Sequence, residues 1–167
     1  SSIQKTKTFH PATNDKTFLW SQLSKHIEDA CTKARYYDLV PKKISIFLKT
    51  RDFRIVTCSA DLPTPSNSPE VLTSLVHEKF EKIHIKGTLY RTTGVTLGNL
   101  VSNFTSQKDL FGGTIKADKF DLIHKHLSSL EDKFGKRAVY LASTHMALKH
   151  KEKGTGSDDL DHDLLFL

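Results

Sequence analysis

The sequence predicts an α+β fold: a four-stranded antiparallel sheet with two helices on one face, in the order β-α-β-β-α-β, followed by a helical, mixed C-terminal extension. Three patterns carry this. Within residues 41–63, Ile44, Ile46 and Leu48 alternate with Ser45, Phe47 and Lys49, the period of a strand with one buried face. A polar break at Thr50-Arg51-Asp52 and a β-branched run from Phe53 to Cys58 add a second strand joined as a hairpin. Apolar stripes at helical spacing flank the hairpin: Leu19, Leu23, Ile27, Ala30 and Ala34 before it, and Leu72, Leu75, Val76, Phe80 and Ile83 after it.

In chain order, residues 2–9 (SIQKTKTF) alternate weakly and form a short first strand. His10-Pro11 ends it, because proline lacks a donor and restricts the residue before it. Asn14 and Asp15 are N-caps for the first helix, which runs to about Tyr37 with Trp20 at the core edge. After the hairpin, Thr64-Pro65-Ser66-Asn67 is a loop by composition. Ser68-Pro69-Glu70 starts the second helix with a hydroxyl cap, a proline at the first position and an acid near the positive dipole end. Gly87 breaks that helix, and residues 89–101 (LYRTTGVTLGNLV) form the fourth strand, with Val95 and Leu97 toward the core. Gly94 and Gly98 mark a bulge or a close backbone approach.

Two helices cover one face of such a sheet and leave the other open. Alternation turns Lys43, Ser45, Phe47, Lys49 and Arg51 to the open face, a basic, hydroxyl-bearing surface suited to a polyanion. Past the sheet, residues 106–113 (SQKDLFGG) are a polar, glycine-ended linker. Phe120, Ile123, Leu127, Leu130 and Phe134 then mark a helix over 118–134, closed by Gly135. Residues 136–144 (KRAVYLAST) read as a further strand and 150–163 as a flexible charged tail.

The net charge of +6 is unevenly placed: residues 1–111 hold 16 Lys+Arg against 10 Asp+Glu, and residues 112–167 hold 9 against 9. The excess therefore lies with the sheet, which points to nucleic acid or another anion. No apolar run approaches the roughly 18 residues needed to cross a bilayer, so no membrane role is expected. Cys31 and Cys58 are expected as reduced thiols of a cytoplasmic protein, and neither sits in a zinc-ligand spacing. The start at Ser1-Ser2 reads as a fragment of a longer chain, and a monomer is expected.

Chemistry-bearing patterns are lacking. His124 and His126 are two apart on a helix and diverge; His145 and His150 lie past the ordered pattern. No HExxH, GxSxG or Walker-type loop occurs, and Gly154-Thr155-Gly156-Ser157 follows no strand. The acids Asp158, Asp159, Asp161 and Asp163 fit a solvated tail better than a metal site. Neither catalytic nor metal-ligating residues are expected.

Four segments together resemble a known family. ISIFLKTRDF (44–53), SIQKTKTF (2–9), YRTTGV (90–95) and SQKDLFG (106–112) fall in the order seen in the C-terminal little finger, or polymerase-associated, domain of Y-family translesion DNA polymerases. The resemblance covers about residues 1–113, and GKRAVYLAST (135–144) is similar to the tail of the polymerase IV and polymerase V catalytic-subunit groups. It implies that the open face holds primer-template phosphates through Ser2, Lys5, Thr8, Lys49, Thr57 and Arg91, with polymerisation and its Mg2+ left to a missing palm. Relatives often carry more arginines where this chain has Cys58, Thr92 and Thr93. Strict alternation sets Arg91 on the side of Val95, so its exposure requires a bulge or a strand end.

Gln107-Lys108-Asp109-Leu110-Phe111 fits the bacterial sliding-clamp peptide, Gln-x-(Ser/Asp)-Leu-Phe, with Gln107 and Asp109 polar and Leu110-Phe111 entering an apolar pocket. The expected organisation is therefore a DNA-binding domain over 1–105, a clamp-binding linker over 106–113 and an extension over 114–167. Two rival readings share the β-α-β-β-α-β order. An RNA-binding domain stacks bases on paired aromatics of its central strands, which Phe9, Phe47 and Phe53 do not reproduce. A protein-binding module would bind DNA, if at all, without salt dependence.

Overall fold

The computed structural model describes residues 1–103, 139–153 and 161–166, together with positions 123, 126, 127, 129, 130 and 133–135. Strand β1 (Ser2–Thr13) buries Ile3, Lys7 and Phe9 on one side. The Asp15 carboxylate accepts from the amides of Thr17 (2.9 Å) and Phe18 (3.1 Å), which starts helix α1 (Lys16–Tyr36) by satisfying two orphan donors. The stripe Leu19, Leu23, Ile27, Ala30 and Ala34 is wholly buried against the sheet. Burial of each such leucine or isoleucine contributes roughly 1.5–3 kcal/mol.

A two-residue strand β2 (Leu39–Val40) leads into the hairpin β3 (Lys43–Thr50) and β4 (Ile55–Asp61). Helix α2 (Pro69–Ile83) then packs Leu72, Val76 and Phe80 into the core, with Leu75 and Ile83 at its margin. The Ser68 hydroxyl donates to Glu70 (2.6 Å) rather than capping an amide, so Pro69 and Glu70 start this helix. Trp20 sits at the core edge, edge-on to His77 (4.7 Å between centroids) and tilted over Phe80 (5.1 Å). Strand β5 (Tyr90–Gly98) returns with Tyr90, Val95 and Leu97 buried, and β6 (Val101–Ser102) pairs with β2 in a separate two-stranded ribbon.

With a last strand, β7 (Asp161–Phe166), the main sheet runs β4-β3-β5-β1-β7, every neighbour antiparallel. The expected four-stranded, helix-backed sheet is present as β4-β3-β5-β1, and β7 extends it at the β1 edge. The flexible tail expected over 150–163 thus ends in strand from Asp161 on, whose backbone pairs Asp161 with Lys7 and Asp163 with Lys5. Its strand partner lies more than 150 positions away in sequence, beyond the reach of local pattern.

Further boundaries move. β1 passes through the cis His10-Pro11 bond to Thr13 across a register shift, where the sequence ended it at proline. Phe53 belongs to the hairpin loop, not to β4. Ala142–Thr144 is a 3-10 helix running on into the helix His145–Lys153, not a strand. A β-branched run is missing there, and the turn is fixed from outside: the Glu28 carboxylate accepts from the Leu141 amide and the Thr144 hydroxyl. The Ser21 hydroxyl accepts from the Ala147 amide (2.7 Å), seating the segment on the outer side of α1. The expected helix over 118–134 is helical at the positions described within it; the remainder, with residues 136–138 and Gly154-Thr155-Gly156-Ser157, lies outside the described residues.

Candidate nucleic-acid interface

Strand register fixes which residues share the open face. Four rows cross β4, β3, β5 and β1: Asp61-Lys43-Gly98-Ser2, Ser59-Ser45-Thr96-Gln4, Thr57-Phe47-Gly94-Thr6 and Ile55-Lys49-Thr92-Thr8. Between these rows, Ile44, Ile46, Leu48, Val95, Leu97 and Ile3 point into the helix-covered core. The open face is thus a field of hydroxyls with cations concentrated at the hairpin end. Asp61 stands at the opposite end, across from Lys43.

Gly94 explains the centre of this face. An added Cβ there would lie 2.1 and 2.4 Å from the Phe47 ring and 2.9 Å from the Thr6 methyl. Phe47 therefore lies over β5 and fills the space a side chain would take, a close approach that only glycine permits. In the next row the Thr8 and Thr92 hydroxyls meet at 3.0 Å, leaving one proton free to donate outward.

Arg91 reaches this face through a bulge. Lys49 pairs with Thr92 and Thr50 with Tyr90, so β5 carries one residue more than β3 at this step. Tyr90 and Thr93 both turn inward, where the Ile85 amide donates to the Tyr90 hydroxyl (2.9 Å) and Thr93 Oγ1 meets His26 Nε2 (3.2 Å). Two residues, Arg91 and Thr92, are left between them for the open side. The Arg91 guanidinium carbon lies 4.6 Å from the Phe53 ring centroid, and Lys49 Nζ lies 5.0 Å from the same centroid. Phe53 is 61% exposed at φ 66° in the hairpin loop.

Of the site residues drawn from the sequence, Ser2, Thr8, Ser45, Phe47, Lys49 and Thr57 occupy the open face, and Arg91 joins them. Arg51 lies in the hairpin loop rather than on β3, beside Asp52 at 4.0 Å, with its amide donating to the Leu89 carbonyl (2.8 Å). Lys5 is the exception. It stands opposite Val95, on the helix-covered side with Ile3 and Lys7, because it shares their parity along β1. Thr6, Ser59 and Thr96 also stand on the open face, where the two-residue period from Thr8 and Thr57 and alternation with Val95 and Leu97 would have set them; Phe53 stands beside it in the hairpin loop, where periodicity alone could not place it.

Gln107, Asp109, Leu110 and Phe111 lie outside the described residues. Before them, the Asn103 amide donates to the Asp38 carbonyl (2.8 Å) beside the β2–β6 ribbon. Among the described residues, no group of His, Cys, Asp or Glu is placed to hold a metal ion, and no helix is long and apolar enough to cross a membrane. Burial pushes the Cys31 thiol up to about 12 and raises that of Cys58 as well.

The architecture is that of a helix-backed antiparallel sheet domain with a polar, cation-ended open face. Residues 1–110 match the family model described as the impB/mucB/samB family C-terminal domain, and the chain belongs to that family, the little finger domain of Y-family DNA polymerases. Among solved structures, the insertion ternary complex of Dbh DNA polymerase aligns with a TM-score of 0.50 and 22% identity, over 62% of this chain and 29% of that one. DinB from Sulfolobus solfataricus aligns with a TM-score of 0.48 and 22% identity, over 61% and 29%. The little finger domain of PolIV, solved with the beta-clamp processivity factor, gives 0.47 and 15% identity, over 68% and 99%. At such identity the likeness to Dbh polymerase is one of fold, and the chain spans less than a third of that polymerase's length. No curated protein matches the chain.

Proposed function

We propose that this domain grips the phosphates of duplex primer-template DNA without reading sequence, for a translesion polymerase, and that residues 107–111 tether it to a sliding clamp. The observation that carries the reading is the β5 bulge, which sets Arg91 beside Lys49 at the end of a hydroxyl-lined open face. Cations there neutralise phosphates and release counterions, while Ser2, Thr8, Ser45 and Thr57 supply donors to phosphate oxygens. Contacts of this kind to phosphate carry no sequence information, which suits a polymerase that must pass damaged template. Nucleotide transfer and its Mg2+ belong, in this reading, to a catalytic domain outside this chain. The domain acts in the cytoplasm as a monomer.

The RNA-binding alternative needs aromatics on the two central strands, β3 and β5. Phe47 is the aromatic that β3 offers to the open face, and it is laid down over Gly94.

Fluorescence anisotropy with a labelled primer-template across a salt series tests the grip. Log K should fall with log salt by roughly 0.9 per phosphate neutralised, equally for unrelated sequences. Lys49→Ala and Arg91→Ala should each make that slope shallower by about one phosphate's worth. An unchanged slope in both variants would remove the proposed surface. For the tether, clamp capture should survive in the wild type and be lost in Leu110→Ala/Phe111→Ala; capture by the double variant would refute that part alone.

A further inference from the structure

We infer that Phe53 is a positioning residue whose exposed ring holds Lys49 and Arg91 together as one two-cation seat for the DNA backbone. This deepens the DNA-binding reading above and rests on it. Three observations on the hairpin loop converge.

First, both cations meet one ring, Lys49 Nζ at 5.0 Å and the Arg91 guanidinium carbon at 4.6 Å from its centroid. They come from different strands, and the bulge in β5 is what lets Arg91 arrive. Long cationic side chains on neighbouring strands would otherwise splay apart, through like-charge repulsion and rotamer entropy. The negative face of the ring offsets that repulsion and holds both cations at one corner of the open face.

Second, the ring is apolar, 61% exposed and outside the core cluster, so burial does not account for it. Its backbone sits at φ 66°, a left-handed conformation that glycine adopts without the Cβ clash phenylalanine suffers. An aromatic at this position thus works against local stability, and strain kept in an exposed loop points to a role outside folding.

Third, the loop around it is held. Thr50 donates its amide to the Arg54 carbonyl (2.8 Å), Phe53 donates to the Thr50 carbonyl (3.0 Å), and Arg54 donates to the Thr50 hydroxyl (3.1 Å). The Arg51 amide ties the loop to Leu89, two residues before Arg91. The ring is therefore presented on a fixed frame, and a pre-placed pair of cations loses less freedom when DNA arrives.

Removing the ring changes no charge, so its effect separates from that of the cations. At fixed salt, Phe53→Ala and Phe53→Leu should each weaken primer-template binding about fivefold, the scale of exposed cation–π contacts, while Phe53→Tyr binds as the wild type. Phe53→Gly should weaken binding equally while its melting temperature stays level or rises, so loss of binding cannot be loss of fold. In a Lys49→Ala/Arg91→Ala background, Phe53→Ala should have no further effect. Wild-type affinity in Phe53→Leu overturns the inference. A further loss from Phe53→Ala in that double background also overturns it, because the ring would then touch DNA itself. If Lys49→Ala and Arg91→Ala leave binding unchanged, the DNA-binding reading fails instead; if they weaken it and Phe53→Leu does not, this inference fails alone.

Discussion

Replacing Gly94 with alanine puts a methyl group where the Phe47 ring already lies, 2.1 and 2.4 Å from two ring carbons. The contact is with the far end of a side chain on an open face, so the ring escapes by lifting rather than by moving the sheet. Overpacking of this kind costs about 1–3 kcal/mol, and the freedom to lift puts Gly94→Ala near the low end. With Phe47→Ala already made, the clash with the ring is gone. Alanine is then better than glycine in a strand interior by roughly 0.5–1 kcal/mol. The Thr6 methyl, 2.9 Å from the added carbon, trims that gain. The same substitution should therefore destabilise one background and leave the other level or more stable, a coupling of about 1.5 kcal/mol, well above the additivity error of about 0.3–0.5 kcal/mol. Denaturant unfolding of the four proteins in the cycle reads it directly. In a thermal scan the single variant should melt about 2–5 °C lower. Equal costs in both backgrounds would show that Phe47 does not occupy the Gly94 space.

Glu28→Ala leaves the Leu141 amide and the buried Thr144 hydroxyl without their acceptor, at a cost of about 1–3 kcal/mol to the docking of that segment. Hydrogen exchange should accelerate over residues 141–149 while β3 and β5 stay protected; equal acceleration in the sheet would refute local undocking. The Cys31 thiol, raised by burial from 9.0 to about 12, keeps its proton in the folded state after the unfolded chain has lost it. The contribution of Cys31 to stability should therefore be constant below about pH 9 and fall above it, by at most about 1.4 kcal/mol per pH unit. Cys31→Ala should flatten that alkaline limb, and an unchanged limb would refute the assignment. In the native protein, thiol labelling should reach Cys58 before Cys31, since Cys31 is fully buried.

Much of this architecture was legible because it is written in local periods. Leu19 to Ala34 and Leu72 to Phe80 repeat at helical spacing, and Ile44, Ile46 and Leu48 at strand spacing, so burial of one face follows whatever the partner. Lys49 and Thr57 reach the open face by the same parity. Lys5 was misplaced where family resemblance outweighed that parity, since it falls in step with Ile3 and Phe9 along β1. Arg91 shows the opposite case: parity gave the wrong side, and only the extra β5 residue against β3 turned it outward.

By itself, then, the sequence determined the helices, the core faces of the central strands and the location of excess positive charge, because each depends on neighbours within a few residues. Tertiary structure decided the bulge at Arg91, the meeting of Arg91 with the Phe53 ring, the Phe47–Gly94 contact and the pairing of β7 with β1. Each of these joins residues far apart in the chain, and the register that brings them together is set by the packing of the whole sheet rather than by any stretch of it.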